Sequence, residues 1–73
     1  MEPKEQLGVN LRRLRWAAGL TQMELSNRSG LDMAEISRLE RGKKDPRLTT
    51  IVRLAVGLDV DAGDLVRGIQ PAG

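Results

Sequence analysis

The sequence predicts an all-α fold of five short helices, and three observations carry this prediction. Apolar residues recur at helical spacing along the chain. Capping residues or glycines bound each such segment, and the alternating β-branched residues that would indicate strands are almost absent. With 73 residues, we expect one compact domain over 1–73 with a small core. The predicted helices cover residues 4–18, 22–28, 33–41, 48–58 and 62–67.

The first predicted helix is defined by its apolar stripe. Leu7, Leu11 and Leu14 recur at spacings of four and three residues and therefore lie on one face. Gly19 follows at the position where a left-handed residue commonly ends a helix. We therefore expect this helix to pack along Leu7, Leu11 and Leu14.

Two capping boxes predict where the second and third helices begin. Thr21 is followed by Glu24 and Asp32 by Glu35, so that each cap oxygen accepts an orphan amide and each glutamate reaches back to the cap amide. The glycines that end these helices are Gly30 and Gly42. The short connection between the second and third helices contains Gly30 and is typical of a helix-turn-helix.

The last two predicted helices follow a loop at residues 42–46. The fourth has an apolar face, although Gly57 inside it is unfavourable by roughly 1 kcal/mol against alanine. The fourth helix must stop at Asp59, and aspartate tolerates the left-handed conformation better than most residues. In the fifth helix, Leu65 faces the core. The apolar face of the fourth helix comprises Ile51, Leu54, Ala55 and Leu58.

Composition excludes several functions. The absence of Cys and His removes disulfides, thiolate or histidine metal ligands and the usual general base near neutral pH. No glycine-rich phosphate loop is present, so we expect neither an enzyme nor a bound metal or cofactor. The longest apolar run, Leu54 to Leu58, cannot span a bilayer, and no signal-peptide stretch follows Met1. We expect a cytoplasmic protein without a membrane partner.

Charge is distributed unevenly, although the net charge is only +2. A basic cluster lies within ten residues and acidic residues lie near the other end, which is typical of a small nucleic-acid-binding domain. A solvated charged surface is the alternative. The basic cluster comprises Arg38, Arg41, Lys43, Lys44 and Arg47, and the acidic residues are Asp59, Asp61 and Asp64.

Several blocks of residues at matching spacing resemble the Cro/C1-type helix-turn-helix family, which includes phage repressors and small bacterial regulators. The resemblance covers about residues 7 to 68. It implies a five-helix, lambda-repressor-like DNA-binding domain whose recognition helix, about Met33 to Arg41, lies in the major groove of double-stranded DNA. The blocks are Gly19 to Gln22, Leu25, Ser29 to Leu31, Ile36 to Gly42, Pro46 to Leu48, Leu54 to Ala55, and Leu65.

The resemblance also implies roles at the DNA-facing side. Gln22 is expected to bind a phosphate and to brace the start of the recognition helix. Met33 and Ala34 stand where relatives contact base edges, but being apolar they can only pack against a thymine methyl. Arg38 can hydrogen-bond to guanine O6 and N7, and Ser37 to a base or a phosphate. The residues expected to bind phosphates are Arg41, Lys43, Lys44 and Arg47.

Acidic residues at the start of the recognition helix depart from the family pattern. Glu35 is expected to complete the capping box with Asp32, and the alternative is a hydrogen bond from cytosine N4. Both carboxylates place negative charge near phosphates and so lower non-specific affinity.

For Trp16, packing between helices is favoured over a subunit contact or base stacking. The resemblance further implies a buried, structural ion pair between Arg15 and Glu40.

We expect the chain to act as a transcriptional regulator on a palindromic operator, as a homodimer formed through Val60, Val66 and Ile69. The regulator could be a restriction–modification controller, a phage-type repressor or an antitoxin with a toxin partner. The alternative is a protein-interaction module that keeps the fold without specific DNA contacts.

Overall fold

The computed structural model describes residues 1–71, and within that range the chain forms five α-helices and no strand. This confirms the all-α prediction. The predicted bounds of α4 match, and those of the other helices differ by one residue at one or both ends. None of the helices in residues 1–71 is long and apolar enough to cross a membrane. The helices are α1 (Pro3–Ala17), α2 (Gln22–Ser29), α3 (Met33–Glu40), α4 (Leu48–Leu58) and α5 (Ala62–Val66).

The core draws fully buried side chains from all five helices. Each such leucine or isoleucine stabilises the fold by about 1.5–3 kcal/mol through removal from water. Leu14, Leu31 and Ile51 extend the core at its margin, where they are half-buried. The predicted apolar stripes therefore face inward as expected. The largest fully buried side chains are Leu11, Leu25, Ile36, Leu39, Leu54 and Leu65.

The boundary between α1 and α2 follows the predicted helix signals. The Thr21 hydroxyl accepts a hydrogen bond from the Glu24 amide at 3.0 Å, and the Glu24 carboxylate accepts one from the Thr21 amide at 2.9 Å. Gly30 ends α2 with a φ of 75°, and Asp59 ends α4 with a φ of 58°, both in the left-handed region. The capping box at Thr21 and the left-handed Asp59 are confirmed.

The second predicted capping box, at Asp32 and Glu35, is wrong. Asp32 precedes α3 in extended conformation, but its side chain makes no capping hydrogen bond. The Glu35 carboxylate lies 3.3 Å from the ammonium group of Lys44 instead. An opposite charge attracts this carboxylate more strongly than a neutral amide does, which accounts for the difference.

Two helical glycines permit close approach between helices. A Cβ on Gly57 would lie 3.0 Å from Leu25 Cδ1 and 3.1 Å from Ser29 Cβ, so the residue that weakens α4 lets α2 pack against it. A Cβ on Gly8 would lie 2.6 Å from the carbonyl oxygen of Leu39 and 2.8 Å from that of Glu40. Hence α1 lies directly on the backbone at the end of α3.

Candidate DNA-binding surface

The outward face of α3 presents the side chains that the sequence indicated. Met33 is 45% exposed, and Ala34, Arg38 and Arg41 are exposed as well. Ser37 is half-buried between them. Ile36 and Leu39 point the opposite way into the core, so the outer face of the helix is free for contact.

Glu40, the last residue of α3, is held by a buried ion pair with α1. Its side chain is fully buried, and that of Arg15 is 11% exposed. Arg15 donates from Nε to Oε2 at 2.5 Å and from Nη2 to Oε1 at 2.9 Å, and its Nη1 donates to the carbonyl oxygen of Leu20 at 2.9 Å. The ion pair expected from the sequence is present, and it ties α1, the turn after α1 and α3 together.

Two further residues bind the same carboxylate. Gln22 donates from Nε2 to Glu40 Oε1 at 3.1 Å, and Arg12 Nε lies 3.5 Å from that oxygen. Burial alone would raise the pKa of Glu40, but the hydrogen bonds from Arg15 and Gln22 and the two arginine charges lower it below its ordinary value. The hydrogen bond with Glu40 raises the pKa of Arg15 further, against the effect of burial. Gln22 thus braces the end of α3, whereas the start was expected.

The basic cluster divides into paired and unpaired side chains. Arg38, Lys43 and Arg47 are exposed, and no ion pair among residues 1–71 involves them. Arg41 is exposed and donates from Nε to the Ser37 carbonyl oxygen at 3.3 Å. Lys44 is the exception, because Glu35 holds it.

A polar depression of about 300 Å³ lies between the start of α3 and the start of α4. Arg47 precedes α4, and the first turn of that helix carries no acidic residue. The dipole of α4 contributes positive potential at this end of the depression, whose charged lining side chains are two basic and two acidic. The depression is lined by Glu35, Lys44, Asp45, Arg47 and Thr50.

Sequence reasoning missed Asn10, which is buried on the apolar side of α1. Its Nδ2 donates to the carbonyl oxygens of Leu65 at 2.8 Å and Arg67 at 2.9 Å, and its Oδ1 accepts from Gln6 at 2.9 Å. These bonds hold the end of α5 against α1. The available signal was a polar residue on the stripe formed by leucines 7, 11 and 14.

Trp16 does not pack between helices, so that prediction is wrong. The side chain is 66% exposed, and the guanidinium of Arg12 lies over its ring, 5.8 Å from the centroid. Arg12 therefore contacts both Glu40 and Trp16. Residue 16 falls just past the edge of the α1 apolar stripe, where solvent rather than another helix faces it.

Two of the three residues predicted for a dimer contact are less exposed than expected. Val60 and Ile69 are half-buried against the core, because α5 is too short to cover it with Leu65 alone. Val66 is 42% exposed. A different apolar stripe, missed from sequence although its spacing of four residues was visible, lies on α4: Leu48 at 74%, Val52 at 47% and Val56 at 72% exposure.

The two short helices α2 and α3, the left-handed Gly30 between them and the exposed basic face of α3 define a helix-turn-helix DNA-binding domain. No group of side chains in residues 1–71 has the composition to hold a metal ion. The comparisons with known proteins agree with this class. The helix-turn-helix domain family matches residues 6–67, and the chain belongs to that family.

Relatives and solved structures point to the same function. An HTH-type transcriptional regulator of Sinorhizobium fredii is 41% identical over 66 residues, which cover 90% of this chain and 86% of the relative. A second regulator from that organism is 38% identical over 68 residues, but the match spans only 35% of its length. The protein is thus a DNA-binding transcriptional regulator.

Two solved structures illustrate the similarity of fold. The restriction-modification controller protein C.AhdI from Aeromonas hydrophila is 39% identical, with a TM-score of 0.82 over 85% of this chain and 94% of that one. The clp gene regulator ClgR from Corynebacterium glutamicum is 29% identical, with a TM-score of 0.84 over 89% and 84%. Both are similar in fold to the five-helix arrangement described above and confirm its Cro/C1-type, lambda-repressor-like class.

Proposed function

We propose that the protein regulates transcription by binding a palindromic operator in the cytoplasm, with Met33 to Arg41 in the major groove. The observation that carries this proposal is the asymmetry of α3. Glu40 fixes the helix from the inside, while Arg38 projects into solvent without an ion pair among the described residues. A rigid helix with an unpaired arginine at its middle is suited to forming two hydrogen bonds with one guanine.

The remaining contacts divide between bases and backbone. Met33 and Ala34 would pack against thymine methyl groups, and Ser37 would bond a base or a phosphate. Gln22 has one amide N–H left over from its bond to Glu40, and this N–H would bind a phosphate. Asp32, exposed beside the reading face, would weaken binding to any sequence. Phosphates would also be bound by Arg41, Lys43 and Arg47.

We further propose that the protein binds DNA as a homodimer, through the exposed stripe of α4 together with Val66. One recognition helix covers only a few base pairs, and a two-fold symmetric pair would place two helices about 34–36 Å apart on a palindrome. Leu48, Val52 and Val56 form an uncharged apolar row along one side of α4. Such a row suits a second copy of itself, since no complementary charge is needed.

Binding to a labelled duplex over a range of salt concentrations tests the function. The affinity should fall linearly with salt on logarithmic axes, with a slope set by the number of phosphates contacted. Arg38→Ala should weaken binding, whereas Arg67→Ala should leave affinity within about twofold, although both remove one positive charge from an exposed position. Absence of binding at low salt would favour the protein-interaction module.

Light scattering over a concentration series tests the dimer. The wild-type mass should rise toward that of two chains, and Val52→Asp with Val56→Asp should keep the protein monomeric because two charges would enter the interface. Val9→Asp is the matched control, since this exposed valine lies on α1. A wild-type protein that stays monomeric at millimolar concentration would refute the dimer.

A further inference from the structure

Glu35 and Lys44 form an ion pair on the surface that we propose to face DNA. Glu35 lies in the first turn of α3 and Lys44 in the loop that follows the helix. The ammonium group and the carboxylate are 3.3 Å apart, and the side chains are 41% exposed for Lys44 and 21% for Glu35. The pair therefore links the reading end of α3 to the basic loop.

The two adjacent lysines of this loop are in different situations. Lys43 is exposed and takes part in none of the ion pairs found in residues 1–71. Lys44 is half-buried and bound to a carboxylate of the same chain. Arg47 and Thr50 line the depression beside it together with Asp45, so a phosphate that took the place of Glu35 would meet these two donors and one remaining carboxylate. The chain therefore supplies its own competitor to phosphate at this position.

We propose that Glu35 withholds Lys44 from the DNA backbone and thereby limits the sequence-independent part of the affinity for DNA. This inference rests on the proposed function, because it requires DNA at the outer face of α3. A lysine neutralised by a glutamate adds no counterion release when DNA binds. Non-specific binding depends almost entirely on such electrostatic contacts, whereas operator binding also uses base contacts. Withholding one cation therefore lowers the electrostatic affinity for any sequence and leaves the base contacts in place.

The pair is suited to substitution experiments. Both side chains are partly exposed, and an ion pair of this kind contributes little to stability. Variants at either position should therefore fold. Circular dichroism of each variant before titration checks this, and the comparison of DNA affinities is then free of folding effects.

The experiment measures binding of a fluorescein-labelled, mixed-sequence duplex about two helical turns long, by anisotropy, between about 50 and 200 mM salt. Glu35→Gln should steepen the salt slope by about 0.9, because Lys44 gains a phosphate contact. Because the salt concentration changes fourfold over this range, a slope difference of about 0.9 means that Glu35→Gln should lose about three- to fourfold more affinity than the wild type.

Substituting Lys44 in both backgrounds isolates the pair. In the wild type, Lys44→Gln should leave the slope unchanged, since this lysine releases no counterion there. In the Glu35→Gln background, Lys44→Gln should remove the additional salt dependence and return the slope to the wild-type value. The matched control is Lys43→Gln, which should lower the slope by about 0.9 in either background. Asp32→Asn neutralises a carboxylate near the same helix start that has no ion-pair partner among residues 1–71. In this background, Lys44→Gln should still leave the slope unchanged.

The outcomes separate this inference from the function on which it rests. If the wild type binds DNA but Lys44→Gln changes the slope equally in both backgrounds, the withholding role of Glu35 is refuted. An unchanged slope in Glu35→Gln refutes it as well. If neither the wild type nor Glu35→Gln binds the duplex at low salt, the DNA-binding proposal fails, and the inference fails with it.

Discussion

The two ends of α3 each carry a glutamate in a different environment. Glu40, at the end of the helix, is fully buried and bound by Arg15 and Gln22, with Arg12 close by. Glu35, at the start, is partly exposed, and its one ion pair among residues 1–71 is with Lys44. Glutamate therefore has a structural role at the end of α3, whereas at its start it forms a partly exposed ion pair that contributes little to stability.

This difference shows how a short helix can be both rigid and accessible. The buried end fixes the position of α3 against α1 and α2, with Gly8 allowing α1 to lie on its backbone. The exposed end keeps its side chains available for a ligand. Substitutions at the two ends should therefore differ in their effect on stability.

The largest effect should come from Glu40→Ala. This change leaves Arg15 buried without its partner, which costs about 3–5 kcal/mol. A chain of 73 residues has a total stability of only about 4–11 kcal/mol, so the variant should be close to unfolding. Urea denaturation followed by circular dichroism measures the loss. Glu35→Ala is the control and should cost under about 1 kcal/mol; equal losses at the two ends would contradict the comparison.

Gly8→Ala should be the next most destabilising change. The added Cβ would lie within 3 Å of two carbonyl oxygens at the end of α3, and backbone cannot move as a flexible side chain does. Overpacking of this kind costs about 1–3 kcal/mol, which exceeds the gain of about 1 kcal/mol in helix propensity. Gly63→Ala in α5 is the control, since its Cβ meets nothing within 4 Å. Thermal denaturation should show a lower Tm for Gly8→Ala than for the wild type, and no such decrease for Gly63→Ala.

Acid should weaken the buried end selectively. The lowered pKa of Glu40 means that the folded state binds fewer protons than the unfolded state near this pKa. The contribution of this group is therefore present above the unfolded value of about 4.3 and is lost as pH falls through the lowered folded pKa. Urea midpoints measured from pH 7 down to pH 3 should fall less steeply in Glu40→Gln than in the wild type. A parallel fall would contradict the assignment.

The smallest effect concerns the two helix starts. Thr21→Ala removes a capping hydrogen bond that is present and should cost about 1 kcal/mol. Asp32→Ala removes a side chain that makes no such bond and should cost only a few tenths. Urea denaturation of the two variants checks this. Equal costs would indicate that Asp32 caps α3 after all.

Local signals were sufficient for most of the fold. Apolar spacing and glycine positions predicted the helices, because both act within a few residues. Long-range contacts were harder, since they depend on how elements meet. From the sequence, Glu35 was expected to complete a capping box with Asp32 or to bind cytosine N4. Its partner in the structure is Lys44, which approaches it only in the folded chain. Asn10 and Arg12 were missed for the same reason, and so was the exposure of Trp16.

The central claim is that the outer face of α3 selects a DNA sequence. Selection from a random duplex pool, followed by sequencing, tests it most directly when wild type and Arg38→Ala are run in parallel. The wild type should recover a palindrome with half-sites one helical turn apart. Arg38→Ala should lose preference at one position per half-site, about 1–3 kcal/mol of discrimination, and keep the rest. No enriched motif with the wild type, or an identical motif with the variant, would contradict the claim.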